Sequence, residues 1–130
     1  MKIRHIGIAV ESIKEILPVW ESFGLKLDHT EKVESEGVTT AHLKVRGYEI
    51  ELLEPMSKET PVGKFIDKKG PGIHHLALEV DDIEKSILKA KENGLEPIGE
   101  APRPGADNTL VAFFHPKDTG GVLLEIVQSN

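Results

Sequence analysis

A chain of 130 residues with a net charge of −6 and no cysteine is sized for one domain whose core needs no covalent staples. The acidic balance argues against general nucleic-acid binding, which relies on phosphate neutralisation by Lys and Arg; the missing thiols exclude disulfides, thiolate zinc sites and cysteine nucleophiles. With no apolar run of about 18 residues and no leader-like start, the expectation is a soluble, unprocessed, cytoplasmic protein with no membrane partner.

In chain order, Ile3 to Val10 is short, rich in apolar residues on both sides and reads as a buried strand. Glu11-Ser12 opens a segment with Ile13, Ile16, Leu17 and Trp20 at helical spacing, closed by Gly24, with Pro18 expected to kink or break it. Leu25 to Val33 predicts a strand and Glu34 to Gly37 a turn. In the next strand, Val38 to Val45, Thr40 and His42 share one face while Thr39, Ala41 and Leu43 share the other. Arg46-Gly47 turns the chain into Tyr48 to Leu53, stopped by Pro55.

Residues 56–72 form a polar linker with room for a short helix around Val62 to Lys68. Ile73 to Val80 predicts a strand, and Asp81-Asp82 precedes an amphipathic helix carrying Ile83, Ile87, Leu88 and Ala90 and ending at Asn93-Gly94. Leu95 to Ile98 is expected to begin a strand, Ala101 to Asn108 to form a loop, and Thr109 to Phe114 and Gly121 to Val127 to close the series.

The two halves are copies of one pattern. His5, Val10, Ile13, Gly24 and Leu25 recur as His75, Val80, Ile83, Gly94 and Leu95 at a constant offset of 70 residues, which is hard to obtain by accident in so short a chain. The expected fold is therefore α+β: two tandem βαβββ modules, about 3–55 and about 73–128, pairing into a curved mixed sheet within a single domain spanning residues 1–130.

The repeat also doubles the chemistry. His5 matches His75 on the first strand of each module, and Ile50-Glu51-Leu52-Leu53 matches Leu124-Glu125-Ile126-Val127 on the last. A carboxylate in a strand otherwise written for the core is costly unless paired or ligating a metal. Two His and two Glu suit a borderline divalent cation, and four protein donors leave room in an octahedron for two substrate oxygens. Co²⁺ is the first expectation, with Mn²⁺, Ni²⁺ or Zn²⁺ as alternatives. His74 must face away from His75 in a regular strand and is read as structural. His29 and His115 are read as strand-end or capping residues, and Lys64, Lys68 and Lys69 as a solvated helix face.

These residues resemble the vicinal oxygen chelate superfamily and, within it, the methylmalonyl-CoA epimerases. The motifs carrying the resemblance are His5-Ile6-Gly7-Ile8-Ala9-Val10, Ile50-Glu51-Leu52-Leu53-Glu54-Pro55, Gly72-Ile73-His74-His75-Leu76-Ala77 with Val80-Asp81-Asp82-Ile83, and the run from His115 through Gly120-Gly121 to Glu125. The resemblance implies that His5, Glu51, His75 and Glu125 bind the metal, that Glu125 doubles as a catalytic acid/base group, and that the small-molecule acyl-CoA substrate chelates the cation through its thioester carbonyl and carboxylate. The second acid/base position, a Glu in some family members, matches Thr40 here, which cannot remove such a proton; His42, a water and Glu51 are the substitutes. Leftover sheet edges lead us to expect a homodimer. A glyoxalase I-type lyase is the alternative, sharing fold, metal and enolate chemistry; in that family the site is commonly built across a dimer, whereas here each half of one chain supplies two ligands. A metal-free binding or resistance protein of the same superfamily is a weaker reading, because all four ligand types are present.

Overall fold

In the computed structural model, which describes residues 1–130, the first strand already separates two environments: β1 (Lys2–Ala9) buries His5, Gly7 and Ala9 and leaves the residues between them only half-covered. Chain contacts divide the molecule into two units, residues 5–74 in one and residues 1–4 with 75–130 in the other. In the first, β1 is followed by α1 (Ile13–Glu21), β2 (Lys26–Val33), β3 (Val38–Val45), β4 (Tyr48–Pro55) and α2 (Pro61–Lys69). In the second, β5 (Gly72–Glu79) leads into α3 (Ile83–Glu92), β6 (Arg103–Pro104), β7 (Leu110–Phe114), a short α4 (Pro116–Thr119) and β8 (Leu124–Gln128). Each is a βαβββ module, in agreement with the sequence expectation.

The topology repeats as well. The order β2-β3-β4-β1 in one unit and β6-β7-β8-β5 in the other puts the first and last strands of each module side by side and parallel, with antiparallel partners outward. That parallel pairing is the crossover connection a βα segment makes when its helix covers one face of the sheet. Ala41, Leu43, Ile50 and Leu52 pack against Ile13, Ile16, Leu17 and Trp20 of α1. Ala112, Phe114, Leu124 and Ile126 pack against Ile83, Ile87 and Ala90 of α3 in the same way. Alternation along the strands then sends Thr40, His42, Glu49 and Glu51, and likewise Phe113 and Glu125, to the opposite face.

One device fixes each helix to its sheet. Ser12 Oγ and Asp82 Oδ1 accept from the backbone N–H of Glu15 and Lys85, capping α1 and α3. The first helical amide is taken by the last strand: Ile13 N–H donates to Glu54 Oε1 at 2.7 Å, and Ile83 N–H to Gln128 Oε1 at 2.8 Å. Glu54 and Gln128 stand three residues after Glu51 and Glu125, hence on the helix-covered face.

Two local expectations are corrected. Pro18 lies inside α1 without ending it, and the Ser22 N–H still donates to the Pro18 carbonyl at 3.0 Å. Proline removes one donor in one turn, and the apolar stripe packed on β3 and β4 holds the helix across that gap. The strand expected at Leu95 to Ile98 is reduced to a single bridge between Pro97 and Phe114, because a proline cannot donate to a ladder; the edge is taken instead by the two residues of β6. No helix is long and apolar enough to cross a membrane.

Candidate active site

Each unit carries one of the expected His–Glu pairs on its polar face. In the first, His5 of β1 and Glu51 of β4 are both 6% exposed, and His5 Nδ1 lies 3.5 Å from Glu51 Oε2. In the second, His75 of β5 is 5% and Glu125 of β8 6% exposed, with His75 Nε2 2.9 Å from Glu125 Oε1. The parallel registers explain both pairs: Gly7 lies opposite Glu51 and Ala77 opposite Glu125, each small residue two positions beyond its histidine on the same face. The lack of side-chain bulk there leaves the carboxylate room to reach the imidazole. Buried carboxylates of this kind are stable only when paired or ligating.

The surroundings of the two carboxylates differ. Across from Glu125, Phe113 meets His75 in a T-shaped contact with ring centroids 5.9 Å apart, and the Arg103 guanidinium lies 5.2 Å from the Phe113 centroid. Beside Glu51 stands His42, directly across β3 and β4, with its Nδ1 3.9 Å from Glu51 Oε2. His42 is 2% exposed and lies in a chain of polar contacts, its Nε2 2.8 Å from Thr40 Oγ1 and its Nδ1 3.1 Å from Glu49 Oε2. The bond from His42 is the largest influence on Glu49; with help from Lys44 it outweighs the opposing effect of burial and holds that carboxyl at about 2.

The sequence reading placed His29 at a strand end and offered His42 as a substitute acid/base group on the face of Thr40. In the structure, His29 lies in mid-strand after a register shift in β2, and its ring stacks on that of His42 at 4.2 Å and 8°. His42 is covered by that stacking and by the β3–β4 pairing, so it is an interior group. His74 packs edge-on against Phe65, with centroids 4.8 Å apart, in the structural role expected of it. His115 caps α4 by accepting from the Lys117 N–H. Glu49 was overlooked. Its signal was available, since two positions from Glu51 on a strand is the same face.

Residues 4–113 match the Glyoxalase/Bleomycin resistance protein/Dioxygenase superfamily. The chain is 32% identical over 130 residues to the ethylmalonyl-CoA/methylmalonyl-CoA epimerase of Cereibacter sphaeroides, covering 98% of this chain and 97% of that one. Among solved structures, a hypothetical protein from Bacillus halodurans superposes with a TM-score of 0.96 at 48% identity, over 99% of this chain and 94% of that one. A variant of Streptomyces coelicolor methylmalonyl-CoA epimerase in complex with 2-nitronate-propionyl-CoA superposes with a TM-score of 0.95 at 34% identity, over 99% and 94%.

Proposed function

We propose that this chain, which belongs to the Glyoxalase/Bleomycin resistance protein/Dioxygenase superfamily, is an isomerase that interconverts the two epimers of methylmalonyl-CoA. The observation that carries the reading is the pair of buried His–Glu contacts, one per repeat, in a chain whose relatives along nearly its whole length include an epimerase acting on that substrate. His5, Glu51, His75 and Glu125 are the proposed ligands of one divalent cation. Their chemistry fits: two imidazole nitrogens and two carboxylates, all nearly shut off from water, form a set that a borderline cation satisfies and that would otherwise be expensive to bury. When bound, the cation supplies the positive charge that offsets the negative charge developing on the thioester oxygen as the α-proton leaves.

The chain's own groups then divide the work. His5 and His75 supply nitrogen donors. Glu51 offers an oxygen and no proton-transfer role is needed from it. Glu125 is proposed as one acid/base group, taking the α-proton from one face of the carbon between thioester and carboxylate, and a second group must return a proton on the other face. A Co²⁺ ion, a homodimer and a cytoplasmic location complete the proposal; the last is supported by the absence of cysteine, the dimer by the outer edges of β2 and β6, each of which pairs with a strand on one side only.

The test is NMR of the protein loaded with Co²⁺ or Zn²⁺ and given methylmalonyl-CoA in deuterated water. Loss of the α-proton signal, abolished by EDTA and restored by metal, is the expected result. An inert thioester, with a methylglyoxal–glutathione adduct consumed in a parallel tube, would replace the epimerase with a glyoxalase I-type lyase.

A further inference from the structure

The register shift in β2 sets four side chains in a square on one face of β2 and β3. His29 stands opposite His42 and Glu31 opposite Thr40, and on each strand the two residues are two positions apart. The donor atoms of His29, Glu31 and His42 all lie within 4.8 Å of one another. In the other repeat the strand matching β3 is apolar at the same places: Phe113 stands opposite Glu125 as His42 stands opposite Glu51, and Val111 takes the position of Thr40. The fold therefore does not require polar groups here, and burying His42 to 2% exposure is costly unless its nitrogens are engaged.

Each imidazole is also held from behind. Asp28 Oδ2 lies 2.6 Å from His29 Nδ1, and Glu49 Oε2 lies 3.1 Å from His42 Nδ1. A carboxylate only accepts, so both Nδ1 atoms carry the hydrogen and both Nε2 atoms present a lone pair. A metal-binding histidine is held in the same way, its other nitrogen donating to a group that fixes the tautomer and raises the basicity of the ligating one. One such pair alone would be weak evidence. Here two of them meet on neighbouring strands with the Glu31 carboxylate beside them.

We propose that His29, Glu31 and His42 form a second divalent-cation site, distinct from the His–Glu pairs above and built wholly within residues 5–74. Two imidazole nitrogens and one carboxylate suit Zn²⁺, with a fourth position left to water or to Thr40 Oγ1. His42 turns Nδ1 toward Glu51, 3.9 Å away, and Nε2 toward Thr40, so the new site lies on the other side of the ring. The Thr40 hydroxyl, 2.8 Å from Nε2, can turn its hydrogen to the Glu31 backbone carbonyl at 3.3 Å and release Nε2 to the ion. One movement is needed. Rings 4.2 Å apart and 8° from parallel aim their lone pairs side by side, and His29 must turn about χ2, a broad torsion, for both to meet one ion. Its side chain is 35% exposed and has room to turn, whereas His42 is fixed in the sheet. A bound ion ties β2 to β3 through side chains at the edge of the sheet, where the shift between Leu27 and His29 interrupts the backbone ladder.

The inference does not depend on the epimerase reading. Its test is calorimetric titration of metal-free protein with Zn²⁺, the bound metal being counted after gel filtration. Wild type should hold two equivalents, and His29→Ala and Glu31→Gln one each, with the metal-free variants melting close to wild type. Asp28→Asn removes no ligand and should weaken the second equivalent by about 10–100-fold. In His75→Ala, which keeps the new site, one equivalent should remain, and Zn²⁺ should shift the ring resonances of His29 and His42 together as the stack opens. A wild type with one equivalent that His29→Ala retains, or a second equivalent that survives either His29→Ala or Glu31→Gln, overturns the proposal. A single equivalent that His29→Ala removes and His75→Ala keeps would support this site and overturn the ligand set of His5, Glu51, His75 and Glu125 instead.

Discussion

Replacing Glu125 by Gln tests the core of the chemistry because it changes one atom. Glutamine keeps the side-chain length and an oxygen that can ligate, so cation uptake should survive, weakened by the lost charge. What disappears is the ability to hold the α-proton. General acid–base groups contribute about 10² to 10⁴ in rate, and each tenfold is about 1.4 kcal/mol of barrier, so the expected cost is about 3–5 kcal/mol in kcat. The upper end is favoured by the setting: Glu125 is 6% exposed on the strand position opposite Phe113, so bulk water cannot easily substitute as base. The His75 contact at 2.9 Å survives if the amide presents its oxygen to an N–H on Nε2, and the fold should be kept. The assay is stopped-time inversion of one epimer, beside calorimetric Co²⁺ binding and thermal melting. Inversion within tenfold of wild type, with metal bound and melting unchanged, would refute the role given to Glu125.

Gly63 in α2 leaves no space for a side chain, since an added Cβ would sit 2.2 Å from the Ser57 carbonyl oxygen; Gly63→Ala should lower the melting temperature markedly despite alanine's better helix propensity, and a rise would show that residues 57–63 can relax. Leu43→Ala, at a fully buried site under α1, should cost about 2–5 kcal/mol in denaturant unfolding, whereas a loss below about 1 kcal/mol would mean that the helix closes the cavity. Burial would raise the Glu79 carboxyl, but Ser129, Lys2 and Arg4 together hold it below its ordinary value; its contribution is therefore full above the ordinary carboxylate range and is lost as the pH falls through the lowered value. Glu79→Gln should accordingly cost below about 1 kcal/mol at pH 7, Lys2 being largely solvated and Arg4 partly so, and the gap to wild type should shrink in acid melts; a gap that widens below pH 4.5 would reverse the sign. His5→Ala should weaken Co²⁺ binding by at least about tenfold with the fold retained, and unchanged affinity by calorimetry would remove His5 from the ligand set.

The repeat made most of this legible. Because His5, Val10 and Ile13 recur as His75, Val80 and Ile83, two weak local patterns became one strong one, and the paired βαβββ modules follow from it. The His–Glu pairs were readable for the same reason. What sequence periodicity cannot carry is cross-strand company. His42 meets Glu51 because β3 and β4 pair in a register that puts them opposite, and His29 stacks on His42 only because β2 shifts register after Leu27. Nothing in the run Lys26 to Val33 announces that shift. Pro18 and the segment after Leu95 were misjudged in opposite senses: in α1 packing outweighs the missing donor, while at Pro97 the pairing narrows to one bridge with Phe114.

The last strand of each repeat does two jobs that cannot be separated. Glu51 and Glu125 face the polar side, while Glu54 and Gln128, three residues later, face the helix and bind its first amide. A slip of one residue in β4 or β8 would turn the carboxylate into the helix-packed core and withdraw the helix cap together. The cost of the first is a buried, unpaired carboxylate; the cost of the second is an unsatisfied N–H at the helix start. Both penalties select the same register. Within each unit, the face on which Glu51 or Glu125 stands is thus held by the same contacts that dock α1 or α3.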